Sequence, residues 1–111
     1  MRAGRLRHSV TIQSPYGASD ALGERSTKWK DEAVLFAGIE PLKAVEVIAA
    51  SQAQMAVTHR IILRYDSALK LMTHGWRVLF EERLFVIDGI INRDEKDRHL
   101  ELLCVEGLRE E

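Results

Sequence analysis

The sequence predicts a mainly β fold, a small antiparallel β-barrel of about six to seven strands with one short helix and a long hairpin loop. Three observations predict it. Apolar residues alternate with polar ones over short runs, as in Leu6, His8, Val10 and Ile12 against Arg7, Ser9, Thr11 and Gln13. Turn formers punctuate the chain between these runs. Only one stretch, Leu42 to Gln54, carries helix-forming residues without Gly or Pro. An open α+β sheet and a sandwich with the helix across one end are the competing architectures.

The first strand covers Leu6 to Gln13. Ser14 to Gly23 is rich in turn residues and reads as a long exposed hairpin loop, longer than the usual two to five residues. Arg25 to Trp29 returns from it as a second, weaker strand. Ala33 to Glu40 is a third, stopped by Pro41, which has no N–H to give to a ladder. In the helix that follows, Val45, Ile48, Ala49 and Gln52 share one face, and the small-residue patch Ala49-Ala50-Ser51 with Ala53 permits close packing on a neighbour or, more commonly, on the chain's own sheet.

Ala56 to Tyr65 alternates again, with Val57, His59, Ile61 and Leu63 on one side. Asp66 to Gly75 reads as an irregular connection. Trp76 to Phe80 and Arg83 to Ile91 form a hairpin closed by Glu81-Glu82, an unusual pair where Asn-Gly or Asp-Gly is favoured. Asn92 to Arg98 is a charged turn, and His99 to Val105 the last strand. Phe85-Val86-Ile87 and Leu102-Leu103 are apolar on both faces, which places their strands centrally.

At 111 residues the chain is one domain with enough apolar material for a modest core. Sixteen basic and seventeen acidic residues leave a net charge of −1. A near-neutral chain lacks the basic face that generic DNA binding needs, although Arg2, Arg5, Arg7 and His8 concentrate charge at the N-terminus. A single cysteine, Cys104, makes no internal disulfide and fits a reducing compartment. No apolar stretch is long enough for a membrane helix, and no signal-peptide pattern follows Met1.

Chemistry-bearing motifs are missing. His8, His59, His74 and His99 lack metal spacing, Cys104 sits among apolar neighbours that favour an inert core thiol, and no glycine-rich phosphate loop occurs. These readings assign no catalytic residue, no metal and no cofactor. Two segments stand out as interaction elements instead: Tyr16, Gly17, Asp20, Leu22 and Gly23 in the long loop, and Arg2, Arg5 and Arg7 in the N-terminal arm.

Several strings in order then carry a family resemblance. They are Ala3-Gly4-Arg5-Leu6-Arg7-His8 with Val10-Thr11-Ile12-Gln13, then Asp20-Ala21-Leu22-Gly23-Glu24 before Trp29. Ala37-Gly38-Ile39-Glu40-Pro41-Leu42, Glu46 and Thr58-His59-Arg60-Ile61 follow, and Arg77-Val78-Leu79-Phe80, Ile90-Ile91-Asn92 and Leu100-Glu101-Leu102-Leu103-Cys104 complete the set. This series resembles the phage head–tail joining proteins, the head-closure or stopper family of long-tailed phages. Arg93 stands where a proline often follows the asparagine, and Glu81-Glu82 replaces the usual Gly-containing turn.

The resemblance implies a non-enzymatic virion protein, assembled from the host cytoplasm into a twelve-fold ring of its own copies. The ring would lie below the portal–adaptor ring and above a tail-completion or tail tube protein. It would close the channel over packaged DNA, its only nucleic-acid contact, and offer a surface for the tail, with no membrane involved. The long loop would point toward the channel or a neighbour. A subunit that waits for the portal should be a monomer or weak oligomer alone. The alternatives are a small nucleic-acid-binding β-barrel module, an enzyme with a site no motif reveals, and another neck or tail-completion protein.

Overall fold

Six antiparallel strands close into a barrel in the order β1-β2-β3-β6-β5-β4. The computed structural model describes residues 6–17, 28–52, 56–92 and 98–107, with only the backbone of Asn92. The strands are β1 (His8–Tyr16), β2 (Lys28–Pro41), β3 (His59–Arg64), β4 (Arg77–Phe80), β5 (Arg83–Asn92) and β6 (His99–Gly107), and the helix α1 is Ala44–Gln52.

The period-2 pattern does what it should. Val10, Ile12, Ile61, Leu63, Val78, Phe85, Ile87, Leu102 and Cys104 point inward and are essentially inaccessible to solvent. Closure corrects one expectation. In a barrel no strand is more central than another, and Val86, between buried Phe85 and Ile87, faces outward and is exposed.

A second correction concerns β2. Lys28 and Trp29 of the expected weak strand join the third strand in one continuous strand of fourteen residues, while residues 25–27 lie outside the described residues. The charged run Lys30-Asp31-Glu32 resembles a break, yet the partners of its acids lie across the ladder. Gln13 Nε2 donates to Asp31 Oδ1 at 2.6 Å, and Ser14 Oγ donates to Glu32 Oε1 at 2.8 Å. Likewise β1 runs through Tyr16, so Ser14, Pro15 and Tyr16 are strand rather than loop. The β1–β4 ladder ends at Gln13, and past it β1 pairs, among the described residues, with β2 alone. Pro15 thus sits on an edge, where a missing N–H is tolerated.

The connection between β3 and β4 must cross the barrel, because these strands are not neighbours. It does so with a 3₁₀ turn, Ser67–Leu69, capped by Asp66, whose carboxylate accepts from the Ala68 N–H at 2.9 Å. Leu69 and Met72 drop into the core and close that mouth. The 93–97 part of the expected charged turn lies outside the described residues.

The β4–β5 hairpin turns at Glu81-Glu82 as expected, with Glu81 in the left-handed region at φ 54°. A side chain there carries a steric cost that glycine escapes. Glu81→Gly should therefore stabilise the protein by about 0.5–1 kcal/mol, read as a rise in the urea midpoint. An unchanged or lower midpoint would show that the contacts of the Glu81 side chain outweigh the backbone cost.

Candidate assembly surface

Three features stand out from the barrel: a two-stranded ribbon, the helix α1, and a polar cluster that holds that helix. The ribbon is the continuation of β1 and β2 past the last β4 rung, through the pairs Ser14↔Lys30, Pro15↔Trp29 and Tyr16↔Lys28. A register shift between Ile12 and Gln13 marks where it leaves the barrel, and such a bulge adds twist and bend. Its base is pinned from β4. Arg77 Nε donates to Gln13 Oε1 at 2.7 Å, and the guanidinium lies 4.0 Å from the centre of the Trp29 ring. Tyr16 and Gly17 are exposed at its far end.

Among the residues singled out from the sequence, Tyr16 and Gly17 thus lie at the outer end of the ribbon, while Asp20, Leu22 and Gly23 fall outside the described residues. Arg7 is exposed just before β1; Arg2 and Arg5 also fall outside the described residues.

Helix α1 begins with Glu46 reaching back, its carboxylate accepting from the Lys43 N–H at 3.0 Å. None of its residues is buried. The expected close packing of the Ala49-Ala50-Ser51 patch on the sheet does not occur: Ala49 and Ser51 are exposed, and Ala53 lies outside the described residues. Val45 and Ile48 are 70% and 60% exposed, and Glu46 and Ala50 are the half-buried positions instead. The reason is electrostatic. Arg60, on the outer face of β3, pairs with Glu46 and draws that side of the helix toward the barrel.

Arg60 gathers two further carboxylates, with Nη1 3.6 Å from Glu40 of β2 and Nε 2.6 Å from Glu101 of β6. The Nε contact lies off the N–H axis, so Nε makes no hydrogen bond and the attraction is one of charge. The Lys43 N–H, then Arg60, hold the Glu46 carboxyl below its usual range. Sequence reasoning missed this cluster, although Glu40, Glu46 and Arg60 all belong to the matching strings. Nothing in their spacing shows that one arginine serves carboxylates of two strands and a helix.

A second network ties β3 to β5 and β6. Arg83 donates to both oxygens of Glu106, at 2.8 and 3.2 Å. The Thr58 hydroxyl accepts from the Glu106 N–H and donates to the Cys104 carbonyl. His59 Nδ1 therefore carries the proton toward Thr58 Oγ at 2.9 Å, and Nε2 accepts from Arg83 at 3.3 Å. This is a site for neutral imidazole. Burial lowers the His59 pKa below 6.5; Glu106 opposes this and Arg83 adds to it. Protonation then favours the unfolded chain. The stabilisation is complete above pH 6.5 and is lost as pH falls through the lower folded value. Urea midpoints should decline between pH 7 and 5, and His59→Gln should flatten that slope; an equal slope in the variant would sink the assignment.

Cys104 is fully buried, and its thiol is pushed up to about 12, chiefly by desolvation and then by Asp88. It should resist maleimides in the native protein and react at once in urea. Labelling at the rate of an exposed thiol would contradict its place in the core. Among the described residues no group of His, Cys, Asp and Glu is placed to hold a metal ion, and no helix is long and apolar enough to cross a membrane. An open cleft of about 420 Å³, lined by Leu6, Leu35, Phe36, Arg64, Tyr65 and Asp66, sets no nucleophile beside a base.

These features define a class: a small closed β-barrel with two outlying parts, a ribbon and a tethered helix. The chain belongs to the phage head completion protein family, whose model matches residues 1–107, and it is thereby a structural virion protein. The solution structure of protein SF1141 from Shigella flexneri 2a is similar over 99% of this chain and all of that one, at 28% identity and a TM-score of 0.73. A chain in the virion of a native gene transfer agent particle shares the fold, with 15% identity, 95% and 98% coverage and a TM-score of 0.61. No match was found among curated protein sequences.

Proposed function

We propose that the protein is the head-closure subunit of a long-tailed phage. A ring of twelve copies lies below the portal–adaptor ring, closes the channel after DNA packaging and docks the tail-completion or tail tube protein. Beyond family membership, the observation that supports this reading is the ribbon. The barrel consumes its own sheet edges, so ring contacts of the edge-strand kind have no place on its wall. Among the described residues, open strand edges occur where β1 and β2 run past β4, beside Tyr16 and Gly17. A ribbon of this kind offers backbone groups to a neighbour. It carries the 18–27 segment, with Asp20, Leu22 and Gly23, toward the channel or the adjoining subunit. Arg2, Arg5 and Arg7 serve as contacts of the N-terminal arm with the same neighbours.

Contacts that are weak singly become tight when repeated around a ring. Assembly therefore waits for the portal complex, and the free chain is a monomer or weak oligomer in the host cytoplasm. Electron microscopy of particles from a phage or induced prophage lacking this reading frame tests the placement. Emptied or leaking heads beside separate, intact tails are expected. Normal joined virions would overturn it, and a stable twelve-mer of the pure chain at micromolar concentration would overturn the timing.

A further inference from the structure

Two exposed apolar faces lie on opposite walls of the barrel. On β2, Val34 and Phe36 point outward and are 66% and 64% exposed. On β5, Val86 and Ile91 point outward and are 39% and 44% exposed. In the closed order β1-β2-β3-β6-β5-β4, strands β2 and β5 stand three places apart among six, half a turn around the wall. Large apolar side chains left in solvent on a small domain mark contact surfaces.

The charges beside the two faces that form no ion pair among the described residues are of opposite sign, although Asp66 lines the cleft with Phe36 and Arg64, and Arg77 stands across from Val86. Arg7, just before β1, and Arg64, at the end of β3, are exposed beside the β2 face and form no ion pair among the described residues. The β5 face carries exposed Asp88, likewise without an ion pair among them. Asp88 stands at the irregularity between Ile87 and Gly89, where the β5–β6 register slips by one. A bulge of this kind aims a side chain away from the regular pleat.

We infer that these faces are the two halves of one head-to-tail interface between copies of this chain. The β2 face of one subunit, with Val34 and Phe36 between Arg7 and Arg64, seats on the β5 face of the next, with Val86 and Ile91 around Asp88. This inference rests on the ring proposed above and names its contact surface. Three physical requirements of a ring are met. A cyclic assembly needs two different, complementary patches rather than one self-complementary patch. The patches must stand nearly opposite: about 150° apart for a ring of twelve, close to the half-turn between β2 and β5. Their charges must attract in the correct pairing and repel in β2-to-β2 and β5-to-β5 pairings, which suppresses closed two-fold dimers.

Crosslinking decides it. A variant carrying both Val34→Cys and Val86→Cys has its new thiols on opposite walls with the core between, so a short bismaleimide cannot join them within one subunit. Buried Cys104 stays out of the reaction. The variant is treated as concentrated purified protein and in particles produced with it. A ladder of dimers, trimers and higher species is expected, whereas either single variant gives dimers at most through unproductive like-with-like contacts. Adding Asp88→Arg should cut the ladder by about tenfold, through repulsion from Arg7 and Arg64, and Arg64→Asp in the same chain should restore most of it. A ladder that ends at dimers, no crosslinks in either sample, or no recovery in the charge-swapped chain would overturn the interface. Absence of the chain from purified particles would overturn the proposed function; the ladder in concentrated purified protein would then still decide the interface.

Discussion

Phe85→Ala is expected to remove a large part of the folding stability. Phe85 is among the largest fully buried side chains; the His59 ring meets it edge-on at 5.2 Å, and the Arg83 guanidinium lies 4.9 Å from its centre. Truncating a buried phenylalanine costs about 3–5 kcal/mol, through lost transfer energy and the cavity left behind. A domain of this size has on the order of 5–15 kcal/mol in total. The urea midpoint should therefore fall by at least about 1–2 M at an unchanged slope. The neighbouring change Val86→Ala, on the outer wall, should stay within about 0.5 kcal/mol. Both substitutions remove apolar side chains from one strand, so their contrast measures the inward–outward register directly. Similar losses in the two variants would mean that the β5 register is wrong.

The second large effect is expected at Arg60. Arg60→Ala leaves Glu40, Glu46 and Glu101 clustered without the cation that holds them together. Single exposed ion pairs contribute little, but here one half-buried guanidinium serves three carboxylates, and its removal converts attraction into repulsion. We expect a loss of about 1–2 kcal/mol in the urea midpoint analysis, partly recovered by added salt that screens the remaining acids. The more diagnostic readout is hydrogen exchange. Amides of α1 should exchange much faster in the variant while those of β3 and β6 keep their protection, because α1 buries no side chain that would hold it otherwise. Unchanged exchange in α1 would show that Arg60 does not tether the helix.

Most of the barrel was legible in the sequence, and the reasons are local. A strand with one buried face alternates apolar and polar residues, as β1 does around Val10 and Ile12; in β3 and β6 the inward residues Ile61, Leu63, Leu100, Leu102 and Cys104 are buried too, although Ile62 and Leu103 interrupt the alternation. Turn residues placed connections such as Glu81-Glu82, whereas both prolines lie in strands, Pro15 within β1 and Pro41 at the end of β2. The errors also have local causes. Lys30-Asp31-Glu32 looks like loop because its charges need solvent or partners, and the partners Gln13 and Ser14 lie on the other strand of the ribbon. The apolar face of α1 looks like core because such faces usually are. Arg60, a residue of another strand, decides that Glu46 turns inward instead. The Asp88 bulge has one weak signature, Gly89 inside the otherwise unbroken strand pattern of Arg83 to Ile91, since a glycine within a strand often marks a bulge.

The sequence by itself determined the fold class, most of the inward-facing core, the family and the lack of a catalytic motif. Each of these depends on residue type and short-range spacing, which the chain carries in one dimension. Tertiary structure alone decided that β1 and β2 leave the barrel as a ribbon, and that α1 stands off the wall on an arginine. It also decided that the apolar faces of β2 and β5 look in opposite directions. Those outcomes depend on closure of the sheet, which brings β1 against β4 and sets residues far apart in sequence side by side or back to back.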